Sequence, residues 1–358
     1  MKKINFSFLN MAALLVAGAA LVACSEKNLN VGEEIPKYTY SVSVNATKGE
    51  DAATDAETRA LTLDGTGTET TLNATWHTTE SVAVQRGSTW ADGTLSPISN
   101  GARAYLKGTL TVAGSPIEAG NTLFLQFPKS GAISYTGQIG TLENIAENFD
   151  YATASVTVSD VNGETGIITT SDADFENQQA IVKFNLLHSD GTQYTSVDVS
   201  SLTVNGSIDV TPASASSVLY VAMPGFAAGS SLTLSATDNS SRNYSFSKAD
   251  FPQAIDNGHF YEFNIKFKPV ITASPASLSI ASNKASSGHT ITYSITNVAT
   301  NAKVTATPSD ETITIDSIQD LANGATVSFS VDKKYNAGTI TLSYYGAAPV
   351  VINVNHPS

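Results

Sequence analysis

Tyr38-Thr39-Tyr40-Ser41-Val42-Ser43-Val44 decides the fold class, because large apolar and small polar side chains alternate along it without a break. Successive side chains of an extended chain point to opposite faces, so this period of two predicts a strand with one buried face. The same alternation recurs in Ser81-Val82-Ala83-Val84, around Trp76, from Ala102 to Leu110 and from Thr122 to Phe127. Pro128 ends the last of these, as a residue without an N–H must. Further strand-like runs start at Gln179, Ser201, Leu219, Leu232 and Phe260, with Ser189-Asp190-Gly191 and Asp256-Asn257-Gly258 as turn signals between them. Thr141 to Asp150 predicts the one short helix of this half, with Thr141 as its cap and Leu142, Ile145, Ala146 and Phe149 on one face.

The expectation is therefore an all-β chain of tandem β-sandwiches. The polar break Ser159-Asp160-Val161-Asn162-Gly163 divides a first sandwich, 37–158, from a second, 159–268, which Lys268-Pro269 closes. From 269 to 358, seven short strands between Leu278 and Val354 have the spacing of an immunoglobulin-like sandwich.

Ahead of the first strand, Lys2 and Lys3 precede an apolar run from Phe6 through Val22, which reads as a secretory signal over 1–23. Its end, Leu21-Val22-Ala23-Cys24, resembles the bacterial lipoprotein box. That resemblance implies cleavage between Ala23 and Cys24, acylation of Cys24 and a place on the outer membrane. An ordinary signal peptide that contains a cysteine is the alternative. Residues 24–36 are polar and read as a lipidated tether. Between the first strand and Arg59, Lys48 to Glu57 is acidic and Ala-rich and reads as a solvated loop.

Composition narrows the function. A net charge of -13 leaves no basic patch to displace counterions from a phosphate backbone, which argues against nucleic acid. Cys24 is the only cysteine, so neither a disulfide frame nor a thiolate metal site is available. His77, His188, His259, His289 and His356 lie far apart and in no metal-binding spacing. His77 beside Trp76 is the best single candidate for a site, with a strand histidine as the ordinary explanation. Asp172, Asp174 and Glu176 lack the turn glycine and further oxygen ligands of a calcium loop, so a solvated segment is expected there. Trp76, Trp90 and Tyr105 fit a sugar platform, although aromatics at strand positions usually belong to the core. No hydrolase elbow or phosphate loop is present; no cofactor is expected, and the chain is read as non-enzymatic.

Several stretches then fall into one order: Val42-x-Val44-Asn45-Ala46, Thr58-Arg59-Ala60, Trp76-x3-Glu80-x-Val82-x-Val84, Ala102-x-Ala104-Tyr105-x-Lys107-Gly108-x-Leu110 and Phe127-Pro128. Ala180-x-Val182-x-Phe184, Val221-x-Met223-Pro224-Gly225 and Gly258-His259-Phe260-Tyr261-x-Phe263 continue it. Together they resemble the fimbrillin family of Bacteroidetes pilins and surface lipoproteins over residues 38–267. The order departs at Glu80-Ser81, where the family often has Gly-Asp.

The resemblance implies export as a lipoprotein and cutting by an arginine-specific protease after Arg59, so that the chain begins at Ala60. The first strand would leave, with Tyr38, Tyr40, Val42 and Val44 as its buried face, and a strand of another fimbrial subunit would take its place. A surface arginine in a loop, and a strand that stays in the sheet, are the alternatives. Residues 270–358 lie outside the basic fimbrillin pattern. Thr272 to Leu278 resembles the start of immunoglobulin-like modules on Bacteroidetes surface proteins, some linked to carbohydrate. The added module points to a tip or accessory subunit, with Val350 to Val354 as its last strand or as a detachable donor. The alternative function is a permanently anchored lipoprotein that binds a surface glycan, and a host or bacterial receptor fits either reading.

Overall fold

The structure, a computed structural model, describes residues 35–48, 61–64, 71–128, 130–280, 285–321 and 324–356. The chain divides into Met1–Pro36 and a compact unit Lys37–Ser358, and the description below concerns the second. No helix among the described residues is long and apolar enough to cross a membrane.

The first sandwich contains β1 (Lys37–Lys48), β2 (Leu61–Asp64), β3 (Thr71–Ala74), β4 (Val82–Arg86), β5 (Thr89–Pro97), β6 (Arg103–Ala113) and β7 (Thr122–Phe127). After helix α1 (Leu142–Asn148) come β8 (Ala152–Asn162), β9 (Ile167–Thr170) and β10 (Ala173–Asn177). Eight of these strands form one sheet in the order β10-β1-β6-β5-β4-β7-β8-β9. Because β10 also pairs with β8, and β1 with β9, the sheet closes on itself around one core, and β2 and β3 form a separate ribbon. Gly108, opposite Val42 in β6, is required by this curvature: the carbonyl oxygen of Thr94 occupies the place of a Cβ.

The expected boundary between 158 and 159 falls inside β8, and β9 and β10 complete the first sheet, so that unit ends at Asn177. The polar break is the end of β8 running into a hairpin turn at Gly163. A bulge after Val158 shifts the register, and the Asn162 side chain accepts the N–H groups of Glu164 and Thr165 to turn the chain. The helix forms where expected, with Thr141 accepting the N–H of Asn144 and Ile145 buried beneath it.

The second sandwich packs two four-stranded sheets. One contains β11 (Ala180–Ser189), β12 (Tyr194–Ser196), β15 (Val218–Met223) and β18 (Phe260–Phe267). The other contains β13 (Val199–Val204), β14 (Ile208–Val210), β16 (Leu232–Asp238) and β17 (Asn243–Lys248). Here β18 runs parallel to β11 over the whole of Ile181–His188. The first and second sandwiches share the cluster Ala74, Ile145, Phe149, Tyr151, Ile181 and Ala222. Gln138 spans the same joint, donating to the carbonyl of Ala222 and accepting its N–H, both at 2.8 Å. Tyr135 donates to the Gln178 carbonyl at 2.6 Å, and burial pushes its phenol up to about 12.

Among its described residues the C-terminal module has eight strands where seven were expected. One sheet orders β19 (Val270–Ser274), β21 (Ser286–Thr296), β24 (Thr326–Val331) and β23 (Ile313–Ile318). The other orders β20 (Ser277–Ser279), β26 (Val350–Asn355), β25 (Ala337–Ser343) and β22 (Thr305–Pro308). The additional strand arises because the chain crosses between sheets at Pro275: β19 pairs with β21 while β20, three residues long, runs parallel to β26.

Asn297 fixes this module to the second sandwich. Its amide donates to the carbonyls of Lys268 at 2.7 Å and Ser245 at 2.8 Å, and its oxygen accepts the Ser245 N–H at 2.6 Å. Its φ of 54° lies in the left-handed region, which asparagine tolerates better than most residues. Asn297→Ala leaves these backbone groups without their partner, so a loss of about 1–3 kcal/mol is expected, with faster hydrogen exchange of the Ser245 amide. An unchanged exchange rate would show that other contacts hold the joint.

Candidate functional site

The candidate site is the path of β1 through the closed sheet. Tyr40, Val42, Val44 and Ala46 are buried on its inner face, whereas Thr39, Ser41 and Ser43 face solvent. Tyr38 is half-buried against the same core. The period of two therefore matches the burial residue by residue. Complete burial of side chains the size of Val or Tyr contributes about 1.5–3 kcal/mol each, so β1 supplies a substantial share of the core's cohesion. The Tyr40 hydroxyl accepts the Ile117 N–H at 2.9 Å, which satisfies its polar end inside the sandwich.

Both edges of β1 are paired. On one side it runs antiparallel to β6 in continuous register from Lys37↔Ala113 to Thr47↔Arg103. On the other it runs parallel to β9 over Ser41–Ser43 and to β10 over Ala46–Lys48. Extraction of β1 would open an apolar groove between β6 and the β9–β10 pair, with an unpaired backbone edge on each wall. At the Lys37 end the groove opens into a cleft of about 650 Å³ lined by Tyr38, Tyr40, Ile117, Asp160 and Gly166.

The opposite end is polar and buried. Lys48, expected in the solvated loop, is the last residue of β1 and is 1% exposed. Its position follows from the strand: after Val44 and Ala46 the next inward side chain is residue 48. The ammonium lies 2.9 Å from Oδ2 of Asp150 and 3.4 Å from Oε1 of Glu80. It also lies over the ring of Phe127, 3.6 Å from the centroid, and 5.1 Å from that of Trp76. Glu80 is oriented by the N–H of His77, which its Oε2 accepts at 3.0 Å, and Asp150 by the Gln179 amide at 3.4 Å. Three segments distant in sequence thus converge on one cation.

The other candidates separate. His77 sits in the turn that carries Glu80, half-buried, with Nδ1 2.8 Å from the Thr79 hydroxyl. Trp76 is core, packed edge-on against Phe127 and Phe175. Tyr105 is 54% exposed on the outer face of β6, contrary to the core expectation for strand aromatics, because Ala104 and Leu106 take the inward positions. Trp90 is half-buried against Phe124. Asp172, Asp174 and Glu176 are solvated, but on and beside the outer face of β10, where they alternate with buried Ala173 and Phe175. Among the described residues no group of His, Cys, Asp and Glu is placed to hold a metal ion. Ala23, Cys24, Arg59 and Ala60, with the acidic loop beyond Lys48, lie outside the described residues.

No protein-family model matches the chain, and no curated protein matches it. Among solved structures, a fimbrial protein from Bacteroides ovatus is similar at 10% identity and a TM-score of 0.31, over 63% of this chain and 48% of that one. The chain thus spans about half the length of that protein. A fimbrial assembly protein from Parabacteroides distasonis is similar at 9% identity and a TM-score of 0.31, over 64% of this chain and 92% of the other. The C-terminally truncated tip fimbrial protein Mfa3 from Porphyromonas gingivalis is similar at 9% identity and a TM-score of 0.24, over 73% and 100%. All three are fimbrial proteins.

Trp76 and Trp90, the chain's two tryptophans, both lie in the first sandwich, so their fluorescence reports on that unit. Lys48→Met removes the cation from two buried carboxylates and is expected to cost about 3–5 kcal/mol in denaturant unfolding read by that signal. In a Glu80→Gln, Asp150→Asn background most of the penalty should vanish. An equal penalty in both backgrounds would assign it to packing instead of charge.

Proposed function

We propose that this chain is a fimbrial subunit, exported as a lipoprotein on Cys24, cut after Arg59 and joined to its neighbour by a strand that replaces β1. The observation that carries the reading is the position of β1. It is a continuous strand with an apolar inner face, paired on both edges, and the chain leads from its end toward Arg59. Loss of such a strand converts a closed sheet into a groove whose walls offer main-chain hydrogen bonds to a successor and whose floor selects alternate apolar side chains. The order of motifs that resembles fimbrillins supports the same reading.

The C-terminal module supports a tip or accessory place. By the fimbrillin resemblance, a shaft subunit would donate its terminal segment. Here Ile352 and Val354 of β26 are fully buried in the module's own core, and β26 is paired with β25 and with β20. Release of β26 would cost those pairings and that burial together. The sheet orders β19-β21-β24-β23 and β20-β26-β25-β22 favour the immunoglobulin-like reading of this module. Adhesion is the role this arrangement suits, with the module joined to the second sandwich through the Asn297 hydrogen bonds.

Replacement of the cleavage residue tests the proposal. In the native host, Arg59→Ala should leave the protein lipid-anchored and absent from the high-mass fraction of sheared surface material, whereas the unsubstituted protein enters it. An Arg59→Ala protein found in that fraction in undiminished amount would contradict maturation at this residue.

A further inference from the structure

The polar end of β1 places a chemical condition on the strand that succeeds it. This inference rests on the proposed removal of β1 and goes beyond it. A cut after Arg59 would release Lys48 together with the strand, but Glu80 and Asp150 belong to the part that remains. With β1 in place their side chains are 0% and 5% exposed, so a successor that refills the groove buries them again and is favoured if it brings a cation to the place of Lys48. Glu80 is held by the N–H of His77 on the turn before β4, and Asp150 lies between α1 and β8. Phe127 and Trp76, whose ring faces lie beside the ammonium, are on β7 and at an isolated bridge before β4, so they remain too. Two carboxylates and two aromatic faces converging on one buried point form a receptor for a cation.

We infer that the succeeding strand carries a lysine or arginine at the position of Lys48, behind a run of alternating apolar residues whose last member is small. The small residue follows from Ala46, which is fully buried and faces Ala104 across the sheet. The inward positions of β1 thus spell an order: aromatic at Tyr38 and Tyr40, branched at Val42 and Val44, small at Ala46, cationic at Lys48. The cation fixes register. A strand slipped by two residues would either set its small residue against the two carboxylates and carry its charge past them, or set that charge at the position of Ala46, opposite Ala104. An apolar groove alone tolerates such a slip; a groove with a charged end does not.

The test uses the full-length protein cut after Arg59, with labelled synthetic peptides of the 12-residue β1 sequence ending in Lys48, Arg, Met or Glu, and measures their affinity as they displace the cut strand. The peptides ending in Lys and Arg should bind about a hundredfold tighter than the one ending in Met, with Glu weaker still. On a Glu80→Gln, Asp150→Asn protein the Lys and Met peptides should bind alike. Equal binding of Lys and Met peptides to the unsubstituted protein would overturn the cation requirement and leave strand replacement standing. If no peptide displaces the cut strand, even in a concentration of urea at which that strand dissociates while the rest stays folded, the removable-strand reading fails and this inference fails with it.

Discussion

A strand with partners on both edges is the constraint on which the first sandwich depends. β1 is hydrogen-bonded to β6 along its length and to β9 and β10 on its other side, and it is through β1 that the sheet closes. Its inner face contributes Tyr40, Val42, Val44 and Ala46 to a core that also holds Trp76, Leu106, Phe127 and Phe175. The strand is at once the closure of the barrel-like sheet and a wall of its core. A segment with this role is removable only if something of the same shape takes its place, because unpaired edges and an apolar groove left open invite aggregation.

The rest of the chain is joined to that closed sheet through a few defined contacts. The segment from Tyr135 through Tyr151 joins the first sandwich to the second through Gln138 and the cluster around Ile145 and Ile181. It also delivers Asp150 to the Lys48 site, so the joint and the polar end of β1 share one stretch of backbone. Beyond it, Asn297 fixes the third module to the second with three hydrogen bonds to backbone groups. Charge at one end of β1 and burial along its inner face therefore act within a framework of joined sandwiches.

Most of the strands were legible in the sequence because their burial follows a period of two, as in Tyr38–Val44 and Ala102–Leu110. The helix was legible from its cap, Thr141, and its single apolar face. The closure of the sheet was not. β9 and β10 are four and five residues long, and β10 alternates exposed Asp174 and Glu176 with buried Ala173 and Phe175, which reads as polar loop. Their parallel pairing with β1 joins residues more than a hundred positions apart, and local pattern carries no trace of it. Lys48 was hidden by its own charge: polarity assigned it to the loop, although the strand's alternation continued through it. Glu80, where the motif order departs from the family resemblance, is one of the two carboxylates that hold Lys48. The signal available beforehand was that departure, together with a lysine at an inward strand position.

Removal of β1 is tested most directly by the N-terminal sequence and lipid content of this protein recovered from the native cell surface. The expected result is a chain that begins at Ala60 and carries no acyl group, with β1 gone and its groove filled by another subunit. Surface protein that begins uniformly at an acylated Cys24 would contradict it and would make β1 a permanent member of an anchored lipoprotein.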